Sequence, residues 1–262
     1  MEQRNAIVTG ASRGIGRAIV EKFARNGINM WACASRENGA FEADMKGLEE
    51  KYQVWIEPLY FDLSREEEIK DAVRKIRNEK KPVDILVNNA GISKVANLSM
   101  LSMDQIHKVF ECNFFGPLLL TQSVQRLMMK VTPPPNAHAC THMHTRNKVI
   151  VNIGSVSGLY PDKGYSAYGS SKAALMFFSK ILAMELAPFH IRVNSVAPGF
   201  IDTEMISYKK DELVEEIIEN IWLKRKGEPE EVANIVYFLT TDAAAGITGK
   251  TIRVDGGYGS FE

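Results

Sequence analysis

Short apolar segments alternate with longer helical ones along all of this 262-residue chain. Ala6-Ile7-Val8, Asn29 to Cys33, Val54 to Phe61, Ile85-Leu86-Val87, Val149 to Ile153, Ile191 to Val196 and Thr251 to Val254 read as strands. Between them, Ile15 to Asn26, Phe41 to Lys51, Ile69 to Ile76, Met103 to Lys130, the stretch around Tyr168 and Val232 to Leu239 carry helical spacing. The Met103 to Lys130 segment holds Gly116-Pro117 and is expected to be one long, bent helix. Strands that are apolar on both sides need covering on both faces, and alternation with helices makes them parallel. The expectation is an α/β fold: a single domain over residues 1–262, with a doubly wound, seven-stranded parallel sheet and helices on both faces. Ligands of such sheets sit at the carboxyl ends of the strands.

Composition excludes several classes. The formal net charge is zero and no basic stripe argues for nucleic acid or an anionic membrane surface. No apolar run approaches the roughly 20 residues of a membrane span. Met1 to Val8 enters a strand at once, so no signal peptide is expected. Cys33, Cys112 and Cys140 are an odd, scattered set, which argues for a reducing, cytoplasmic setting. Two stretches break the rhythm. Residues 131–147 hold Pro133-Pro134-Pro135 and a His-rich run and read as a surface insertion. Residues 200–227, beyond a strand's carboxyl end, carry an amphipathic segment near Glu212 to Trp222 that suits a substrate lid.

The first strand enters the turn Thr9-Gly10-Ala11-Ser12-Arg13-Gly14-Ile15-Gly16. Glycines there let backbone approach a pyrophosphate, and the following helix start offers N–H groups and a positive dipole end. Gly10, Ser12, Arg13, Gly14, Ile15 and Gly16 are therefore the expected phosphate cradle of a doubly wound Rossmann fold. The second strand ends in Ala34-Ser35-Arg36, with no carboxylate until Glu37. NAD sites favour an acidic residue there, whereas guanidinium forks suit a 2′-phosphate. Ser35 and Arg36, with Arg13, thus favour NADP(H), NAD being the alternative. Asp62, with Leu63 after it, could meet an adenine amino group or act as a cap, although Ser64 is the better helix cap. Asn89, Ala90 and Gly91 follow the fourth strand and face the adenosine ribose in this reading, while Asn88 is as well explained by strand stabilisation.

Tyr168 and Lys172 lie four residues apart on a helix, which places phenol and ammonium on one face. A phenol titrates near 10, and a nearby fixed cation lowers that value toward the working range. Ser155, if brought alongside, could hydrogen-bond the substrate oxygen that exchanges a proton with the tyrosine.

Together these motifs resemble the short-chain dehydrogenase/reductase family over essentially the whole chain. The resemblance rests on the glycine turn, Asp62, Asn88-Asn89-Ala90-Gly91, Asn113, Ser155, Tyr168-x-x-x-Lys172, Pro198-Gly199 and Asp255-Gly256-Gly257. Val193 to Ile201 and Ile247-Thr248-Gly249 are similar to the 3-oxoacyl-(acyl-carrier-protein) reductases and their look-alikes. The resemblance implies a catalytic tetrad of Asn113, Ser155, Tyr168 and Lys172. In it Tyr168 exchanges a proton with substrate, Lys172 holds the nicotinamide ribose and lowers the tyrosine's pKa, Ser155 polarises the substrate oxygen, and Asn113 positions a relay water. It also implies that Pro198, Gly199, Ile201 and Thr203 flank the nicotinamide, and that the chain is a homo-oligomer, tetramer or dimer, assembled through its long helices.

The function implied is NADPH-dependent reduction of a ketone or 3-oxoacyl-type carbonyl to an alcohol, with a small-molecule or acyl substrate. An NAD(P)-linked alcohol or sugar dehydrogenase is the enzymatic alternative, and a catalytically silent nucleotide-binding protein is the alternative of another class. The insertion at 131–147 stands where carrier-protein reductases run quickly into the next strand, so a carrier-protein substrate is not assigned. His138, Cys140, His142 and His144 alternate there, but the spacing is unlike common structural zinc sites and no metal is assigned.

Overall fold

The computed structural model describes residues 3–129, 147–205 and 211–259. Its strands are β1 (Asn5–Thr9), β2 (Asn29–Ala34), β3 (Ile56–Tyr60), β4 (Ile85–Asn88), β5 (Lys148–Ile153), β6 (Ile191–Pro198) and β7 (Thr251–Val254). Its α-helices are α1 (Gly14–Arg25), α2 (Gly39–Tyr52), α3 (Glu66–Asn78), α4 (Met103–Phe110), α5 (Gly116–Met129), α6 (Ser166–Leu186), α7 (Asp211–Glu219) and α8 (Pro229–Thr240). All seven strands form one parallel sheet in the order β3-β2-β1-β4-β5-β6-β7. The order reverses between β1 and β4, where Ile7 lies between Trp31 and Leu86. Crossovers leave to opposite faces on either side of that point, which opens a crevice at the strands' carboxyl ends.

Strand periodicity divides the core in two. Ala6, Val8, Met30, Ala32, Val87 and Val151 point to one face and pack with Ile19 and Phe23 of α1, Met45 of α2 and Val236 of α8. Ile7, Trp31, Leu86 and Ile150 point to the other and pack with Ile69 and Ile76 of α3, Leu120 and Val124 of α5 and Leu182 of α6. No helix among the described residues is long and apolar enough to cross a membrane.

Two expectations need correction. The segment from Met103 is two helices, α4 and α5, joined by a π-helical turn, Glu111–Phe115. Pro117 is the second residue of α5 and follows directly on that turn. Asn113, within the π-helical turn, bonds through its side chain to the Ile92 backbone outside the helix. Ser64, expected to cap α3, does not do so. The Asp62 carboxylate accepts both its N–H and its hydroxyl at 2.8 Å, which draws Ser64 into the preceding turn. Arg65 occupies the cap without a side-chain bond, and Glu66, Glu67 and Glu68 face the helix dipole instead. Lys130, most of the 131–147 insertion with its histidines, and residues 206–210 of the expected lid lie outside the described residues.

Beneath the crevice runs a buried polar chain. Asn88 Nδ2 donates to Thr121 Oγ1 at 2.9 Å and to Asn152 Oδ1 at 2.7 Å. Asn152 Nδ2 donates to Ser179 Oγ at 2.7 Å, and Ser195 Oγ donates to the same oxygen at 2.8 Å. Asn88 is thus a strut between strands, as one of its two readings had it. Ser179 joins β5, β6 and α6 through one hydroxyl, and Asn152 and Ser195 are fully buried. Ser179→Ala leaves those two groups unsatisfied, so denaturant unfolding should show a loss of about 2–3 kcal/mol with little change in m-value.

Candidate active site

The glycine turn is built by steric need and held by a clamp. Gly10 has φ of +66°, and a Cβ there would lie 2.8 Å from Ala90 Cα. At Gly16 a Cβ would lie 2.0 Å from the Gly10 carbonyl oxygen, so any side chain would push the turn off the helix. Asn89 Nδ2 donates to the carbonyls of Thr9 at 3.0 Å and Gly10 at 3.2 Å. Thr9 Oγ1 accepts the N–H groups of Asn89 at 3.0 Å and Ala90 at 3.1 Å. This reciprocal clamp across β1 and β4 fixes the turn, and sequence reasoning passed over Thr9 as a part of it. No side chain caps α1, so its first-turn N–H groups face the cavity with the dipole's positive end. A bare helix start behind a glycine turn fits a dinucleotide pyrophosphate.

At the adenosine end, Ser35 and Arg36 are exposed on the cavity wall, and Arg36 forms no ion pair among the described residues. Arg13, expected beside them at a 2′-phosphate, instead pairs with Glu204 Oε2 at 2.7 Å across the cavity mouth. Both side chains are exposed, so this pair is worth at most about 1 kcal/mol. Burial works against the charge of Asp62, but the two bonds from Ser64 prevail and hold its carboxyl below the usual range.

At the other end stand the tetrad residues. α6 presents Tyr168 and Lys172 one turn apart, and Lys172 Nζ lies 6.0 Å from the tyrosine ring centroid. Lys172 is 3 % exposed, and its ammonium donates to the Ile153 carbonyl at 2.8 Å. Burial pushes its pKa down to about 8. Ser155 follows β5, and its hydroxyl accepts the Ser157 N–H at 3.2 Å. Asn113 sits on the π-helical turn, fully buried behind the cavity wall. Its Oδ1 accepts the Ile92 N–H at 2.8 Å, and its Nδ2 donates to the Ile92 carbonyl at 2.9 Å and to Ser171 Oγ at 3.0 Å. π-turns of this kind recur at functional sites.

One cavity of about 730 Å³ joins both ends. Every site residue picked out from the sequence lines it except Asn113, which stands one layer behind. Pro198, Gly199 and Ile201 form the wall at the end of β6, and Thr203 packs against Gly14. A second chamber, about 460 Å³, adjoins the first through Asp162, Tyr165, Ile217 and Tyr258. Arg253 shapes it: Nε pairs with Asp255 Oδ2 at 2.6 Å, Nη1 donates to Tyr160 Oη at 2.6 Å, and Nη2 holds the Tyr258 carbonyl. Sequence reasoning missed these chamber residues. Tyr165, one turn before Tyr168, carried the one visible signal, whereas Tyr258 depended on where the chain's last glycines turn. Ile217 of α7 does belong to the segment read as a lid.

A crevice at a reversed strand order, with a phosphate cradle at one end and a buried lysine beside a tyrosine at the other, defines a doubly wound α/β oxidoreductase. The sequence pattern described as short chain dehydrogenase matches residues 4–213, and the chain belongs to that family. Among its relatives is the 3-oxoacyl-(acyl-carrier-protein) reductase FabG of Aquifex aeolicus, 38 % identical over 98 % of both chains. The protein of that name from Escherichia coli is 39 % identical over 98 % of this chain and 97 % of its own. Among solved structures, a short chain dehydrogenase from Burkholderia cenocepacia in complex with NADP superposes with a TM-score of 0.85. It is 28 % identical, with 97 % of this chain and 96 % of that one covered.

The buried ammonium has a measurable signature. Between about pH 8 and 10.5 the unfolded chain holds this proton more firmly than the folded one, so Lys172's contribution to stability rises with pH across that window. Lys172→Met should therefore raise Tm at pH 7 without cofactor, and the gain should shrink as pH climbs toward 10.5. A gain independent of pH would show that the lysine is not titrating as described.

Proposed function

We propose that this chain is an NADPH-dependent reductase of a ketone or 3-oxoacyl-type carbonyl, with Tyr168 as proton donor. The observation that carries this reading is the placement of Tyr168, Lys172 and Ser155 on one end of the cavity that begins at the glycine turn. The named activity of the Aquifex and Escherichia relatives supports carbonyl reduction, and the NADP in the Burkholderia structure supports the cofactor. The first-turn N–H groups of α1 would hold the pyrophosphate, Ser35 and Arg36 the 2′-phosphate, and Asp62 the adenine. Pro198, Gly199, Ile201 and Thr203 would flank the nicotinamide. When bound, NADPH supplies the hydride.

The protein's own part is proton management and orientation. Ser155 Oγ and Tyr168 Oη both bond the carbonyl oxygen, which fixes the face presented and draws charge onto oxygen. Tyr168 gives up its proton as that charge develops. Lys172, positively charged below about pH 8, favours the resulting phenolate and binds the ribose hydroxyls that complete its donor set. Asn113 places a water that returns a proton by way of Lys172. The second chamber takes the part of the substrate that does not react.

One domain holds cofactor and substrate together, in the cytoplasm. Phe177, Ile181 and Met184, exposed along α6, and Phe115 beside α5 support self-association through the long helices into a dimer or tetramer.

Tyr168→Phe should lower kcat for a ketone or 3-oxoacyl thioester by at least about 10²-fold while NADPH still binds. Steady-state absorbance assays measure this, and full turnover by the variant removes the mechanism. Arg36→Asp should shift kcat/KM from NADPH toward NADH by about 10²-fold, since it removes a phosphate partner and adds a repelling charge. Wild-type preference for NADH would reverse the cofactor assignment.

A further inference from the structure

Ser171 stands one residue before Lys172, fully buried and outside the cavity lining. A serine within a helix commonly bonds a carbonyl of its own preceding turn and needs no other partner. Ser171 does this, donating to the Tyr168 carbonyl at 2.7 Å, but its oxygen also accepts Asn113 Nδ2 from the π-helical turn at 3.0 Å. Both amide protons of Asn113 are thereby engaged, and its oxygen accepts one bond. It is held to two places, the Ile92 backbone after β4 and the helix that carries Tyr168 and Lys172.

The spacing around Gly91 shows what this tie controls. A Cβ at Gly91 would lie 3.2 Å from Asn113 Oδ1 and 3.2 Å from Lys172 Nζ, so amide and ammonium enclose the same small volume. Lys172 is itself fixed from the far side by the Ile153 carbonyl. The bond to Ser171 is the one side-chain hydrogen bond between Asn113 and α6 among the described residues, and Ser171 lies beside the lysine in sequence.

We infer that Ser171 is a positioning residue, which sets Asn113 against the Tyr168–Lys172 pair by passing a hydrogen bond from the π-helical turn to the catalytic helix. It touches neither substrate nor cofactor and acts only through Asn113. The inference rests on the proposed roles of Tyr168 and Lys172.

The test measures kcat, KM and NADPH affinity for Ser171→Ala, Ser171→Cys, Ser171→Thr, Asn113→Ala and the Ser171→Ala/Asn113→Ala double variant. Ser171→Ala should lower kcat about tenfold with the carbonyl KM and NADPH Kd within twofold of wild type, because orientation in the reacting complex is lost and ground-state binding is not. Ser171→Cys keeps the packing but weakens both bonds, and should show a similar loss. Ser171→Thr keeps the hydroxyl and should restore kcat to within threefold. The double variant should be no slower than Asn113→Ala alone, as expected of residues acting as one unit. Wild-type kcat in both Ser171→Ala and Ser171→Cys, or losses that multiply in the double variant, would overturn the inference. Full turnover by Tyr168→Phe is the separate result that would remove the underlying reading.

Discussion

A lysine ammonium is held in the interior of this protein, and the functional end of the molecule is arranged around it. Moving such a charge out of water is costly unless it is bonded. The Ile153 carbonyl at the end of β5 offers one bond, and in the proposed reading ribose hydroxyls would offer the others. The same burial that weakens the ammonium's hold on its proton brings its titration near the range in which an enzyme works. Charge is thus available to the tyrosine at neutral pH without being quenched by a carboxylate. Sheet order contributes, because β5 ends beside β4 and α6 packs against β5 and β6.

The other end of the cavity relies on shape more than charge. Thr9 and Asn89 bind each other's backbone across two parallel strands, so the glycine turn is anchored to β4 as well as to β1. This coupling matters because Gly91, two residues beyond Asn89, closes over Lys172. The glycine turn and the Tyr168–Lys172 end of the cavity therefore share one support, Asn89 to Gly91, at the point where strand order reverses.

Much of this was legible in the sequence because the signals were local. Apolar strands, the glycine turn and the Tyr168–Lys172 spacing each declare a conformation within a few residues. Most of the features that escaped depend on groups distant along the chain, and one on a competing partner two residues away. In the π-helical turn Asn113 reaches Ile92 and Ser171, neither of which marks that segment as unusual in the sequence. Ser64 looked like a cap until Asp62 took both of its donors. Arg13 was read for its charge, and only the fold shows that Glu204, far along the chain, can reach it. The chamber of Tyr160, Tyr165 and Tyr258 needs the chain's last described turn before its aromatic wall can be seen.

That last point bears on how the molecule comes into being. The walls of the cavity are drawn from Thr9 at one extreme and Tyr258 at the other. Gly199 can pack only once Asp255 is present, and Arg253 must pin Tyr160 before the second chamber has a floor. A chain emerging from the ribosome can therefore pair β1 with β2 and β4 early, yet cannot enclose a ligand until Arg253 to Tyr258 have been made. Ligand recognition is deferred until those residues are in place, and a chain cut before Thr251 would keep six of the seven strands while losing the enclosure.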